Sequence, residues 1–360
     1  MLKGFIVKEI KELFKLKKTE RLWHIPVLAA LCIGVPLLAG LYFDALQTGL
    51  QACLGGLVIL YLPTSSHIAN RMITLLACSF AFMVSFTTGL VFSFNPIVSA
   101  IAFGIFAVAV HWTSLYFESK PPGSFFFILI ASMSSCMPFD LHTIPEKVGL
   151  VGLGTMFACL LGLGYSFLAE TTYPAKDAGS ITTVLKKNRY ADFVEALIMG
   201  LFMFLALFFG HWFSFKNPYW IPISCAAVMQ GATLYHIWQR SFQRTLGTFI
   251  GLGLCWVLLS LNKSELSLAV MIIVLQFIIE MLVVRHYALA VIFITPMAVL
   301  LAEAANPLVQ DPNNLAMIRF WDIAAGSLLG LVGGWLLHQE KVRYQTIMGI
   351  RKMRVVLKNR

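Results

Sequence analysis

Residues 217–253 read NPYWIPISCAAVMQGATLYHIWQRSFQRTLGTFIGLG. An aromatic and proline entry, Tyr219, Trp220 and Pro222, opens an apolar run. A short basic turn follows, with Arg240 and Arg244 four residues apart. A second apolar run begins at Gly247-Thr248 and steps through Gly251 and Gly253. Two apolar runs whose only charges sit at their junction read as a membrane hairpin.

The rest of the chain is of the same kind. Apolar residues make up 59% of it, charged residues 12%, and the mean hydropathy is +0.80. A soluble domain carries roughly 25% charged residues, so the composition is that of a polytopic membrane protein. The net charge of +10 collects at the two ends. Lys3, Lys8, Lys11, Lys15, Lys17, Lys18 and Arg21 open the chain; Lys341, Arg343, Arg351, Lys352, Arg354, Lys358 and Arg360 close it. Basic clusters flanking spans are orientation signals and contacts for anionic lipids. No nucleic-acid module accompanies them, which excludes nucleic acid as a partner. The first residues are charged throughout and no small-residue cleavage site follows the first apolar run, so no signal peptide is expected.

A span needs about 20 apolar residues. Twelve segments are expected to serve: 24–43, 45–63, 72–92, 96–117, 124–140, 148–169, 191–213, 218–236, 245–261, 265–284, 287–305 and 317–338. With the N-terminus inside, only Lys147, Lys216, Lys263 and Arg319 of the 27 Lys and Arg fall outside. That asymmetry predicts an even span count with both ends in the cytoplasm. Arg71 precedes the third span and Arg244 the ninth; Lys147 precedes the sixth and Arg319 the twelfth. Gly154 pairs with Gly326 and Gly162 with Gly334 at the same offset of 172 residues. His67 to Arg71 also resembles His236 to Arg240 at an offset of 169, so the partner of Arg71 stays open.

The expected fold is therefore an all-α membrane protein of about twelve transmembrane helices, in two parallel-duplicated six-helix blocks with no soluble domain. Residues 1–22 form an amphipathic basic segment, 23–170 the first block, 171–190 a cytoplasmic linker, 191–339 the second block and 340–360 a basic tail. The seven cysteines all lie in apolar runs without ligand spacing and read as small buried hydrophobes.

Tyr219-Trp220, the Arg240/Arg244 turn and Leu246-Gly247-Thr248 with Gly251 resemble the fusaric acid resistance family, which belongs with the aromatic acid exporters. Thr295-Pro296 and Arg319-Phe320-Trp321-Asp322 with Gly326 and Gly330 extend the resemblance, which is strongest over residues 190–338. It implies export of aromatic carboxylic acids or related organic anions across the inner membrane, coupled to protons. Wider family members often carry a sizeable cytoplasmic domain beside each six-span block, and this sequence shows none. The plant malate channels look like distant relatives, which keeps an organic-anion channel as the alternative; a membrane-embedded enzyme or scaffold is the third reading.

Charges at bilayer depth are functional candidates, because burying them costs several kcal/mol. Arg71, Arg240 and Arg244 are expected at inner span ends, as an anion funnel or as topology signals. Thr295-Pro296 interrupts one span, and Ser132, Ser134 and Pro138 interrupt its first-half counterpart, which makes these the pointer to a central substrate site. Tyr219 and Trp220 are candidates for substrate stacking or for the interfacial belt. Glu280 and Asp322 are candidates for proton coupling, and Lys147, Arg319 and Glu303 for a gate or ion pair. His111 with Trp112 reads as structural. No nucleophile-base pair, P-loop or metal motif is found, so no enzyme activity, cofactor or metal is expected. The expected partners are small organic anions, anionic lipids, a second copy of the chain and a periplasmic adaptor.

Overall fold

The computed structural model describes residues 22–63, 67–172, 189–231, 233–261, 264–305, 312–339, 344 and 348. The side chains of 169–172, 189–192, 302–305 and 312–316 fall outside this description. So do the expected amphipathic N-terminal segment, the linker's basic stretch and most of the tail.

Among the described residues the chain is helical, with no strand. Twelve α-helices follow one another: α1 (His24–Tyr42), α2 (Leu46–Gly56), α3 (Ile68–Val91), α4 (Pro96–Tyr116), α5 (Phe125–Ser135) and α6 (Ile144–Thr172). Then come α7 (Arg189–Trp212), α8 (Trp220–Met229), α9 (Leu234–Leu261), α10 (Glu265–Leu282), α11 (Tyr287–Ala305) and α12 (Pro312–Leu337). A 3-10 turn, Leu57–Tyr61, extends α2.

One expectation is met in part and another needs correction. Eight of these helices are long and apolar enough to cross a membrane; Leu46–Tyr61, Phe125–Ser135, Trp220–Met229 and Tyr287–Leu301 are shorter. Local chemistry explains two of the stops. In α5 the hydroxyls of Ser134 and Ser135 donate to the carbonyls of Ala131 and Ser132, three residues back, and Pro138 follows. In α8 the last turn runs into Gln230 and Gly231, where a Cβ on Gly231 would meet the backbone of Ile237. The correction concerns the basic turn. Because α9 begins at Leu234, Arg240 and Arg244 lie within a helix, not in a turn.

Helix starts follow the sequence closely. Asn95 Oδ1 accepts from the backbone N–H of Ile97 and Val98, at 2.9 and 3.2 Å, with Pro96 at the first helical position. Ser264 and Ser267 cap α10 reciprocally.

The helices gather into two compact units, each drawing on both halves of the sequence. One holds α1, α2, α10, α11 and all of α6 but its first residue; the other holds α4, α5, α7 and α8; α3, α9 and α12 are divided between the two. In the first unit α1 packs on α2 and α10, and α11 packs on α10 and α2. Leu37, Ile272, Leu275 and Leu300 form its core. In the second, α7 packs on α8 and α4, and α5 packs on α4 and α8. Phe103, Ile128, Met203 and Ile221 form that core.

Glycines set the closest approaches. A Cβ on Gly154 of α6 would overlap the carbonyl oxygen of Ala52 on α2. A Cβ on Gly326 of α12 would overlap that of Ile221 on α8. At Gly89, a Cβ would overlap the hydroxyl of the buried Ser134. Gly89→Ala should therefore force α3 away from α5 and cost about 1–3 kcal/mol by overpacking. A lower melting temperature in detergent checks this. All seven cysteines are free thiols, buried or half-buried.

Candidate functional site

The two motifs flagged on α9 and α11 form the two sides of one seam in the first unit. Arg244 Nη1 donates to the hydroxyl of Tyr287, 3.0 Å away, at the start of α11. One turn on, Gly247 lies against the Ala288 carbonyl and Val291. A turn later Gly251 lies against the Ile292 carbonyl and Thr295. The glycines let two helices touch along their backbones, the packing that small residues permit in membranes. Pro296 has no N–H, so the Ile292 carbonyl loses its helical partner there. Thr295 is buried, and its hydroxyl donates to Val291 O at 3.0 Å. Thr248, fully buried on α9, has a hydroxyl with no hydrogen bond among the described residues. Arg244, a freed carbonyl and two threonines thus share one helix pair.

A second seam lies in the other unit, between α5 and α8. Ser132 Oγ donates to the carbonyl of Tyr219 at 2.8 Å. Tyr219 and Trp220 are half-buried with ring centroids 5.1 Å apart. Ser134 is fully buried, bonded within its own helix and covered by Gly89. The interrupted segment 132–135 and the Tyr-Trp entry therefore meet directly.

The buried charges stand out in apolar helices. Arg71, Arg244 and Arg319 are 2%, 4% and 4% exposed, and Asp322 and Glu280 are 0% and 6% exposed. Holding a charge at the centre of a span costs about 2.5–3.5 kcal/mol on insertion scales, so such residues are kept for contacts or function. Glu280 Oε1 accepts from Gln276 Nε2 at 3.3 Å, one turn back on α10. Arg319 and Asp322 stand three residues apart on α12. Arg71 lies in the first turn of α3, and Lys147, half-buried, in the first turn of α6. The Glu303 side chain is outside the described set.

Arg240 has a different task from Arg244. Its Nη1 donates to the carbonyl of Ala227, 3.2 Å away, in the last turn of α8. A cation there satisfies an open carbonyl and meets the negative end of the helix dipole. Sequence reading missed Tyr287 and Gln276, because only folding brings their partners to them. It also passed over Glu195, a carboxylate in the seventh apolar run, whose charge was itself the signal.

Residues 205–333 match the model of the family described as fusaric acid resistance protein-like. The match covers α8 to α11 in full and most of α12, and so contains the α9–α11 seam and bears out the resemblance seen in the second block. A membrane protein of Bacillus subtilis (strain 168), YvaC, described as uncharacterised, is 39% identical over 147 residues. These are 41% of this chain and 23% of that relative, so the chain spans about a quarter of its length. No solved structure matches the chain. With its eight long apolar helices, the chain is an integral multi-pass membrane protein.

Proposed function

We propose that this protein is a secondary transporter that exports organic anions, aromatic carboxylates first among them, across the inner membrane in exchange for protons. The observation that carries the reading is Arg244: a guanidinium buried in an apolar helix, held by Tyr287, beside a helix interrupted at Pro296. A guanidinium offers a carboxylate two parallel hydrogen bonds, which a bare ammonium does not. Interrupted helices near the midplane free backbone groups for a substrate. In the first unit Arg71 and Arg244 attract the anion and Thr295-Pro296 line its path; Ser132-Ser134 are the corresponding candidates of the second unit, and Glu280 and Asp322 carry the proton. Arg319, Lys147 and Glu303 form the outer gate.

The fold that goes with this reading is a parallel duplication of six helices with both ends in the cytoplasm. Its support is a repeated packing scheme. Moving α1, α2, α10 and α11 of the first unit on by six positions, and past twelve back to the start, gives α7, α8, α4 and α5 of the second. The Gly154–Ala52 contact recurs as Gly326–Ile221, with offsets of 172 and 169 residues. Anionic lipids at the basic ends, a second copy of the chain and a periplasmic adaptor are the partners proposed with it.

Purified protein in liposomes tests this with labelled benzoate and an imposed pH gradient. Protein-dependent accumulation that a protonophore collapses is the expected result. Steady anion currents in a planar bilayer without a proton gradient would make it a channel. No flux across a panel of aromatic and aliphatic carboxylates would overturn the proposal.

A further inference from the structure

A polar cluster in the second unit sits at the opposite end of α5 from Ser132 and Ser134. It joins His111 of α4, Ser124 just before α5, and Glu195 of α7. His111 Nδ1 is 2.7 Å from Ser124 Oγ. His111 Nε2 stands 3.7 Å from Glu195 Oε1 and has no hydrogen bond among the described residues. The His111 side chain is 13% exposed and Ser124 is 5% exposed. We propose that His111, Ser124 and Glu195 form a proton-binding site.

The surrounding helices hold the imidazole in place. Gly104 and Gly200 bring α4 and α7 into backbone contact, and Trp112 meets Phe193 edge-on, with ring centroids 5.9 Å apart. The neutral imidazole has one donor and one acceptor nitrogen. Ser124 can serve Nδ1 in either role, because a hydroxyl both donates and accepts. Nε2 then stays buried without a hydrogen bond. When a proton is taken up, both nitrogens carry N–H: one donates to Ser124 Oγ, the other points at the Glu195 carboxylate. Closing that gap by about 0.7 Å would turn the contact into a charge-assisted hydrogen bond. The cluster therefore has a partner for both N–H groups of the charged imidazole, and the one facing Nε2 is a carboxylate of opposite charge.

The other titratable groups on the packed elements are Tyr116, Glu118 and Lys120, exposed between α4 and α5, and His211 at the far end of α7. Cys136 lies past the far end of α5, and the side chains of Arg189, Tyr190 and Asp192 are outside the described set. Position within the fold adds a second argument. His111 follows the cap Asn95 by sixteen residues, as Glu280 follows the cap Ser264. Each unit thus carries a protonatable side chain at the same place on an equivalent helix.

A role for this site in driving anion export rests on the transport reading; proton binding itself does not, and the experiment separates the two. The probe is the proton, followed by nitrogen NMR of histidine-labelled protein in lipid nanodiscs, with the His111 signals assigned by their loss in H111N. At pH 6 the doubly protonated His111 fraction should fall at least twofold in E195Q, and less in S124A. Benzoate accumulation driven by a pH gradient should fall at least tenfold in H111N and E195Q, with downhill exchange within twofold of wild type. A His111 that stays neutral at pH 6, or an E195Q variant with unchanged His111 protonation, overturns the site. Unchanged gradient-driven accumulation in both variants overturns its coupling role. If His111 protonates as expected while the wild type moves no anion, the transport reading fails and the proton site stands.

Discussion

Arg244→Ala should lower carboxylate flux about a hundredfold while leaving the protein folded. Losing the charge-assisted hydrogen bonds of one guanidinium removes about 3 kcal/mol of substrate interaction, which is about two powers of ten in rate over KM. The fold should persist because the substitution deletes a buried charge. Tyr287, half-buried, loses only the Arg244 hydrogen bond. Arg244→Lys should recover little, since an ammonium lacks the planar fork. Tyr287→Phe should cost less, roughly threefold to tenfold, by loosening the guanidinium without removing it. Initial rates of benzoate uptake into liposomes, with gel-filtration profiles as the folding control, decide the matter. Unchanged flux in R244A would reduce Arg244 to a structural role.

Gly154→Val and Gly326→Val should each leave almost no folded protein. At both positions the new side chain would enter a backbone carbonyl, and backbone cannot turn aside as a flexible side chain can. Either the helices separate or the contact is lost. Even the alanine variants should lose about 3 kcal/mol, the upper end for overpacking. The two losses should be similar, because the two contacts repeat each other. Gly253→Ala is the control: nothing lies within 4 Å of its added Cβ. It should be neutral or slightly stabilising, by about 0.5–1 kcal/mol from helix propensity. Monodisperse yield after extraction in mild detergent reads out all three.

Gly247, Gly251 and Gly253 look alike in the sequence, yet only the first two face another helix. A glycine's spacing says that close approach is possible and not which neighbour uses it. The same limit applies to the arginines. Arg240 and Arg244 share one helix at i and i+4, not a turn, because α9 starts at Leu234. Their roles parted through partners thirteen and forty-three residues away, Ala227 and Tyr287. In the sequence His111 reads as structural, and nothing local points to Glu195, which lies on another helix. Candidate residues were visible as charges, hydroxyls and prolines in apolar runs. Their grouping into seams was not.

The sequence by itself determined that the chain is a helical membrane protein. Sustained apolar runs have no other stable solution in lipid, where each backbone group must be bonded within its own segment. Caps such as Asn95 and Ser264, proline, glycine and the positions of charge set where most of those helices begin, since these act on near neighbours. Only the tertiary structure decided that Arg244 meets Tyr287 and that each compact unit mixes both halves of the chain. Those outcomes depend on side-chain shape matched across helices far apart in sequence, which no local pattern records.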